Sequence, residues 1–199
     1  MVAQLPPAKH KEQLRAAVLE HRGELDSDTI RRASELMCER LAADPVFEQA
    51  ACIGGYSAIR GEIDPRALLE DALERDRVVC LPRVVDQHHI EFCEVSDFAE
   101  LREGAFGVME PQGPATELGS IDVFLVPGVA FDERGGRIGF GRGYYDRLLG
   151  RRRQIDDAPA AIFVGICYGW QLVDDAIAVE PHDVAMDLVA TDNEIIRCG

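Results

Sequence analysis

The sequence predicts an α/β fold, a mostly parallel sheet with helices on both faces, arranged as a single domain over residues 1–199. Two observations carry this expectation. Apolar runs such as "AACIGGY", "DVFLVPG" and "AAIFVGICY" lack the clean alternation of a half-exposed strand, so both faces of each strand need covering. Segments with helical signals separate those runs, which is the element order of a parallel sheet joined by crossover helices.

Residues 8–22 (AKHKEQLRAAVLEHR) form the first helix, with Leu14 and Val18 one turn apart. Asp26 or Ser27 caps a second helix running to about Ala43. "AACIGGY" is a buried strand. Asp64-Pro65 starts the next helix, Asp as cap and Pro in the first turn, and "ALLEDALER" continues it. "RVVCLP" and "IEFCEV" are strands. Residues 102–120 carry Gly, Pro and Ser without periodicity and are expected to be loop. "DVFLVPG" is a strand, 129–141 a long connection, and "YYDRLLG" a helix that Gly150 can end. The run Arg151–Arg153 reads as a solvated cap that complements the helix dipole. "AAIFVGICY" and "MDLVAT" are the last strands.

A net charge of −15 makes nucleic acid and anionic lipid poor partners, so an anionic ligand has to be met by a local basic cluster. The six cysteines lack paired spacing and mostly sit in apolar runs, which marks them as reduced and buried. No apolar run is long enough to span a membrane, and no secretory segment is evident at the N-terminus. A cytoplasmic monomer is the expectation.

The stretch "RIGFGRGYYD" is the chemical centre of the chain. Gly139, Gly141 and Gly143 alternate with other residues, Arg137 and Arg142 add forked cations, and a helix follows. Bare backbone N–H groups and a helix N-terminus suit a phosphate. The spacing GxGxG is neither a P-loop nor a dinucleotide fingerprint, and glycines that merely turn the chain are the alternative.

"VPGVAFDERGGRIGFGRGYYD" closely resembles the signature of the 5-formyltetrahydrofolate cyclo-ligase family. Lys11 to Arg15, "GEID", "LPRV", "FGVMEP" and "PHDVAMDLVAT" agree in order. The resemblance implies a fold similar to the sugar-phosphate isomerase and CoA-transferase group. It also implies an ATP- and Mg²⁺-dependent closure of 5-formyltetrahydrofolate to 5,10-methenyltetrahydrofolate, with ADP and phosphate released. It assigns Lys11 and Arg15, four apart on one helix face, to ATP; read alone they are also an ordinary solvated basic face. Arg137, Ile138, Gly139, Phe140, Gly141, Arg142, Gly143, Tyr144 and Tyr145 match the ATP-phosphate loop, with Arg142 and Lys11 as catalytic cations. Phe140 and Arg142 stand where relatives often carry other residues. Asp146 and Asp183 match Mg²⁺ ligands; read alone they are a helix-start charge and a loop acid. Glu62 matches a carboxylate on the pterin, Ser57 and Tyr145 further folate contacts, and Phe106 a ring against the pterin or a core residue. The rival readings are a non-catalytic folate or nucleotide binder and a sugar-phosphate enzyme of the same fold.

Overall fold

The computed structural model describes residues 7–199, with side chains from residue 11; the first residues of the N-terminus, where no secretory segment is expected, lie outside the described part. Five α-helices are present among the described residues: α1 Pro7–Gly23, α2 Ser27–Ala42, α3 Pro45–Glu48, α4 Arg66–Glu74 and α5 Tyr144–Arg153. The strands are β1 Cys52–Gly54, β2 Val78–Val84, β3 Ile90–Glu94, β4 Arg102–Glu103, β5 Met109–Glu110, β6 Val123–Pro127, β7 Ala130–Asp132, β8 Arg137–Ile138, β9 Ile162–Ile166, β10 Leu172–Val173, β11 Leu188–Ala190 and β12 Ile195–Arg197.

Seven of them form the main sheet in the order β12–β11–β9–β6–β1–β2–β3. The strands from β11 to β2 pair in parallel, and β12 and β3 close the edges antiparallel. Side chains alternate between two cores. Ile53, Val79, Leu81, Leu125 and Val164 point to one face, where Met37 and Leu41 of α2 and Leu69 of α4 cover them. Cys80, Phe124, Phe163 and Val189 point to the other, covered by Leu148 and Leu149 of α5. The expected sheet with helices on both faces is therefore what these apolar runs build. The outer edge of β3 is strapped by residues 114–116: Glu94 N–H donates to Pro114 O at 3.1 Å and Thr116 N–H to Phe92 O at 2.8 Å.

The Asp26 cap holds, its carboxylate accepting from Thr29 N–H at 2.7 Å. Asp64 accepts from Arg66 N–H at 3.0 Å, so it caps α4 from one residue before the formal cap, Pro65. Four expectations need correction. Residues 102–120 hold the two-stranded β4–β5 pair, and 129–141 hold the β7–β8 hairpin, which β10 joins in a small second sheet. Gly150 does not end α5, which runs to Arg153. Arg152 is not a solvated cap: it is buried, and its guanidinium donates to Pro159 O at 2.7 Å, with Gly119 O and Ile121 O at 3.4 Å. All six cysteines are free, and only Cys198 is not fully buried.

Candidate active site

From β1 the chain steps to β2 on one side, and only later to β6 and β9 on the other. The sheet thus has its switch point between β1 and β6, where a crevice opens beyond the carboxyl ends of the strands. The segment after β1 carries Ser57 and Glu62, and the segment after β6 carries the hairpin and the glycine loop.

Helix α1 lies across this crevice. Leu14, Val18 and Leu19 anchor it on Val129, Ala130 and Ile138 around the hairpin. Its basic face then meets the loop. Arg15 Nε donates to Gly139 O at 2.9 Å, and Lys11 Nζ pairs with Asp183 Oδ2 at 3.0 Å. Gly141 (φ 94°) and Gly143 (φ 66°), the residue that caps α5, take left-handed backbone conformations that a β-branched residue resists. Arg147 fastens the loop from behind, donating to Arg142 O and to His88 O at 2.7 Å from Nε, while Tyr144 OH donates to Asp86 O at 3.2 Å. The guanidinium of Arg142 lies 4.2 Å from the ring centroid of Phe106. Phe106 is 55% exposed with φ 61°, so it is not a core residue but a presented ring at the loop's edge. Phe140 turns inward beneath Arg22.

Asp146 and Asp183 come from distant segments and line the same cavity of about 130 Å³, with a wider cleft of about 450 Å³ opening past them over Gly141–Gly143. Two features bring them together. Buried Asp132 accepts from Gly136 N–H at 2.7 Å and Ile177 N–H at 2.6 Å, tying hairpin to the 174–187 segment. Gly135 sits against the Met186 backbone so closely that any Cβ would collide with it. Arg137 is not an open phosphate donor: it is almost fully buried and pairs with Asp146 Oδ1 at 2.7 Å. Burial works against the ionised form of Asp183, but the Glu180 N–H and the Lys11 ammonium together hold its pKa below the usual carboxylate value.

On the other side of the loop, Glu62 is 5% exposed. Its Oε2 accepts from Ile59 N–H at 3.0 Å, while Oε1 has no hydrogen-bond partner among the described residues. Burial pushes its pKa up to about 7, against the opposing pull of the Ile59 N–H, Arg22 and Arg60. Tyr145 is near enough for this carboxylate to add to the upward shift that burial causes in its phenol. Ser57 Oγ donates to Met109 O at 2.7 Å, which joins the β4–β5 arm to the crevice but leaves that hydroxyl's proton engaged. Arg22, Asp132 and Arg147 were missed in the sequence; each is a lone charge in an ordinary-looking segment, and only the fold reveals its partners.

A model described as "5-formyltetrahydrofolate cyclo-ligase family" matches residues 7–192. The chain is 31% identical to the 5-formyltetrahydrofolate cyclo-ligase of Mycolicibacterium smegmatis, over 92% of this chain and 94% of that protein. It is 27% identical to the probable 5-formyltetrahydrofolate cyclo-ligase of Schizosaccharomyces pombe, over 94% of this chain and 97% of that protein. Among solved structures, the 5,10-methenyltetrahydrofolate synthetase of Aquifex aeolicus aligns with a TM-score of 0.81 at 34% identity, covering 94% of this chain and 92% of that one. The corresponding synthetase of Mycoplasma pneumoniae aligns with a TM-score of 0.73 at 26% identity, covering 92% and 98%. One signature loop at the switch point, one family model over nearly the whole length and two end-to-end structural matches agree: the chain belongs to the 5-formyltetrahydrofolate cyclo-ligase family.

Proposed function

We propose that this chain, acting as one domain and as a monomer in the cytoplasm, closes 5-formyltetrahydrofolate to 5,10-methenyltetrahydrofolate at the expense of ATP. The observation that carries this reading is the meeting, at one switch point, of a cation-flanked glycine loop with a buried carboxylate. The loop suits a polyphosphate, and the carboxylate suits the N3–H and amino edge of a pterin.

A formyl amide oxygen is a poor leaving group. Transfer of the γ-phosphoryl from ATP to that oxygen expels ADP and gives an iminium phosphate; N10 attacks the carbon, the C–O bond breaks as phosphate leaves, and the N10 proton goes to the departing phosphate or to water. Such a reaction asks the protein for alignment and charge stabilisation more than for a nucleophile. The N–H groups of Gly139 to Gly143 and the start of α5 would receive the phosphates. Lys11 and Arg142 would steady the transferring charge, with Arg15 holding the loop and touching the nucleotide. Glu62 would fix the pterin, helped by Tyr145 and Ser57, and Phe106 would lie against its ring. Tyr144 supports the loop through Asp86.

Asp146 and Asp183 fit a Mg²⁺ ion: both offer hard oxygen donors to one small cavity that adjoins the loop, with room for water and phosphate oxygens. Bound there, the ion would neutralise charge on the phosphates. Arg137 and Lys11, the present partners of these acids, would keep them oriented. The partners on this reading are small molecules. The −15 charge disfavours nucleic acid, and no described helix is long and apolar enough to cross a membrane.

The test is to incubate the pure protein with 5-formyltetrahydrofolate, ATP and Mg²⁺ and to follow methenyl-folate absorbance. Product is expected only when nucleotide and divalent ion are both present. Equal rates with EDTA, or without nucleotide, would refute phosphoryl activation.

A further inference from the structure

Arg22, at the end of α1, is 2% exposed, an unusual place for a charge with so little to neutralise it. Its Nε donates to Arg60 O at 2.9 Å, just after β1, and its Nη1 to Gly128 O at 3.4 Å, just after β6. The guanidinium thus spans the switch point, and it also lies 5.4 Å from the ring centroid of Phe140. The remaining nitrogen, Nη2, faces Glu62 Oε1 at 3.7 Å. That is too long for a hydrogen bond, and both atoms are buried without a partner among the described residues. A buried donor and a buried acceptor left side by side, each with unused capacity, are costly unless something completes them.

We propose that Arg22 is a positioning residue for folate: its ion pair holds the Glu62 carboxylate in place, leaving Oε1 available to the pterin. This rests on the reading that Glu62 receives the pterin. The environment explains why a cation is needed there. Glu62 is faced by Asp64 and the phenol of Tyr56 from its own segment and by the phenols of Tyr145 and Tyr168 from two others; among the described residues Arg22 and Arg60 offer the positive charge. Burial alone favours the neutral acid, and a neutral acid has one acceptor fewer for the pterin edge. Removal of the Arg22 charge therefore raises the pH at which Glu62 ionises further. Folate use should then require a higher pH, whereas the ATP loop, fastened by Arg15 and Arg147, is spared.

The experiment is a pH series of steady-state kinetics on Arg22→Met and Arg22→Lys, with each substrate varied and the fold checked by circular dichroism and melting. Arg22→Met is expected to raise the folate KM about tenfold to a hundredfold at pH 7. It should move the midpoint of the rise in folate kcat/KM up by about one pH unit or more, and change the ATP KM by less than about threefold. Arg22→Lys keeps the charge but not the fork; its midpoint stays near that of the parent while folate KM rises. Should Arg22→Met fail to fold, the Lys variant decides, and an unchanged folate KM there overturns the proposal. A folded Met variant in which both KM values rise together and the midpoint stays put also overturns it, leaving Arg22 a tie between segments. Glu62→Gln separates the layers. If it leaves folate KM untouched, the assignment of Glu62 falls and this inference with it. If it raises folate KM while Arg22→Met leaves the midpoint in place, only the role of Arg22 falls.

Discussion

Glu62→Gln should change how folding stability depends on pH, apart from any effect on turnover. Burial raises the Glu62 pKa from 4.5 to about 7, so the folded protein holds this proton more tightly than the unfolded chain does. The contribution to stability is fully present below the unfolded value of 4.5 and is lost as pH rises through about 7. Each factor of ten in proton affinity is worth about 1.4 kcal/mol, so the loss between pH 5 and pH 8 is roughly 2–3 kcal/mol. Glutamine keeps the shape and an acceptor for Ile59 N–H but carries no titrating proton. The cost of leaving Arg22 without a counter-charge is constant over this range, because a guanidinium stays protonated. Urea unfolding of both proteins at pH 5 and pH 8 gives the comparison. The parent should lose roughly 2–3 kcal/mol more than Glu62→Gln between the two, in the direction of lower stability at pH 8. Parallel curves would mean that Glu62 is solvated and ionises normally, which would contradict the burial that raises its pKa.

Gly141→Val should leave the protein folded and without measurable turnover. A Cβ there has only the Arg15 guanidinium near it, at 3.9 Å, so the cost is the backbone conformation, about 1–3 kcal/mol; a folded variant with near-normal rate would show that the loop only turns the chain. Asp146→Asn should lower kcat by at least about a hundredfold and raise the Mg²⁺ concentration needed for half-maximal rate, and an unaltered Mg²⁺ dependence would count against its metal role. Thermal melts with and without dithiothreitol should coincide, since all six cysteines are free; a loss of stability on reduction would contradict this.

The elements that sequence pattern could reveal are those whose stability is local or whose burial is two-sided. Asp26 caps α2 through its own near neighbours, and the runs around Ile53, Leu125 and Val164 declare burial on both faces. The short strands β7 and β8 have no such pattern, because they exist only through pairing across the Asp132 turn and with β10. Gly150 looked like a helix end, yet α5 continues because the buried Arg152 draws the next turn onto three carbonyls. The glycine loop was legible because its chemistry is contiguous. Arg22 was not: an arginine at a helix C-terminus looks like a dipole cap, and the groups that give it meaning lie 38 and 106 residues away. The proposed metal acids were legible as types, but their convergence depends on Asp132 and on the glycine at 135.

The strap over β3 bears on self-association. An open sheet edge is a template on which another chain can add a strand, and long apolar edges lead to aggregates. Here residues 114–116 occupy the β3 edge, so a second molecule would first have to displace Pro114 and Thr116 from their bonds to Glu94 and Phe92. At the opposite edge, β12 is three residues long and ends in Arg197, whose guanidinium is held by Asp44 at 2.7 Å. Both edges are therefore blunted, one by cover and one by brevity and charge, and a surface with a net −15 keeps encounters between copies repulsive. A protein with so apolar a set of central strands can in this way be concentrated without its sheets joining edge to edge.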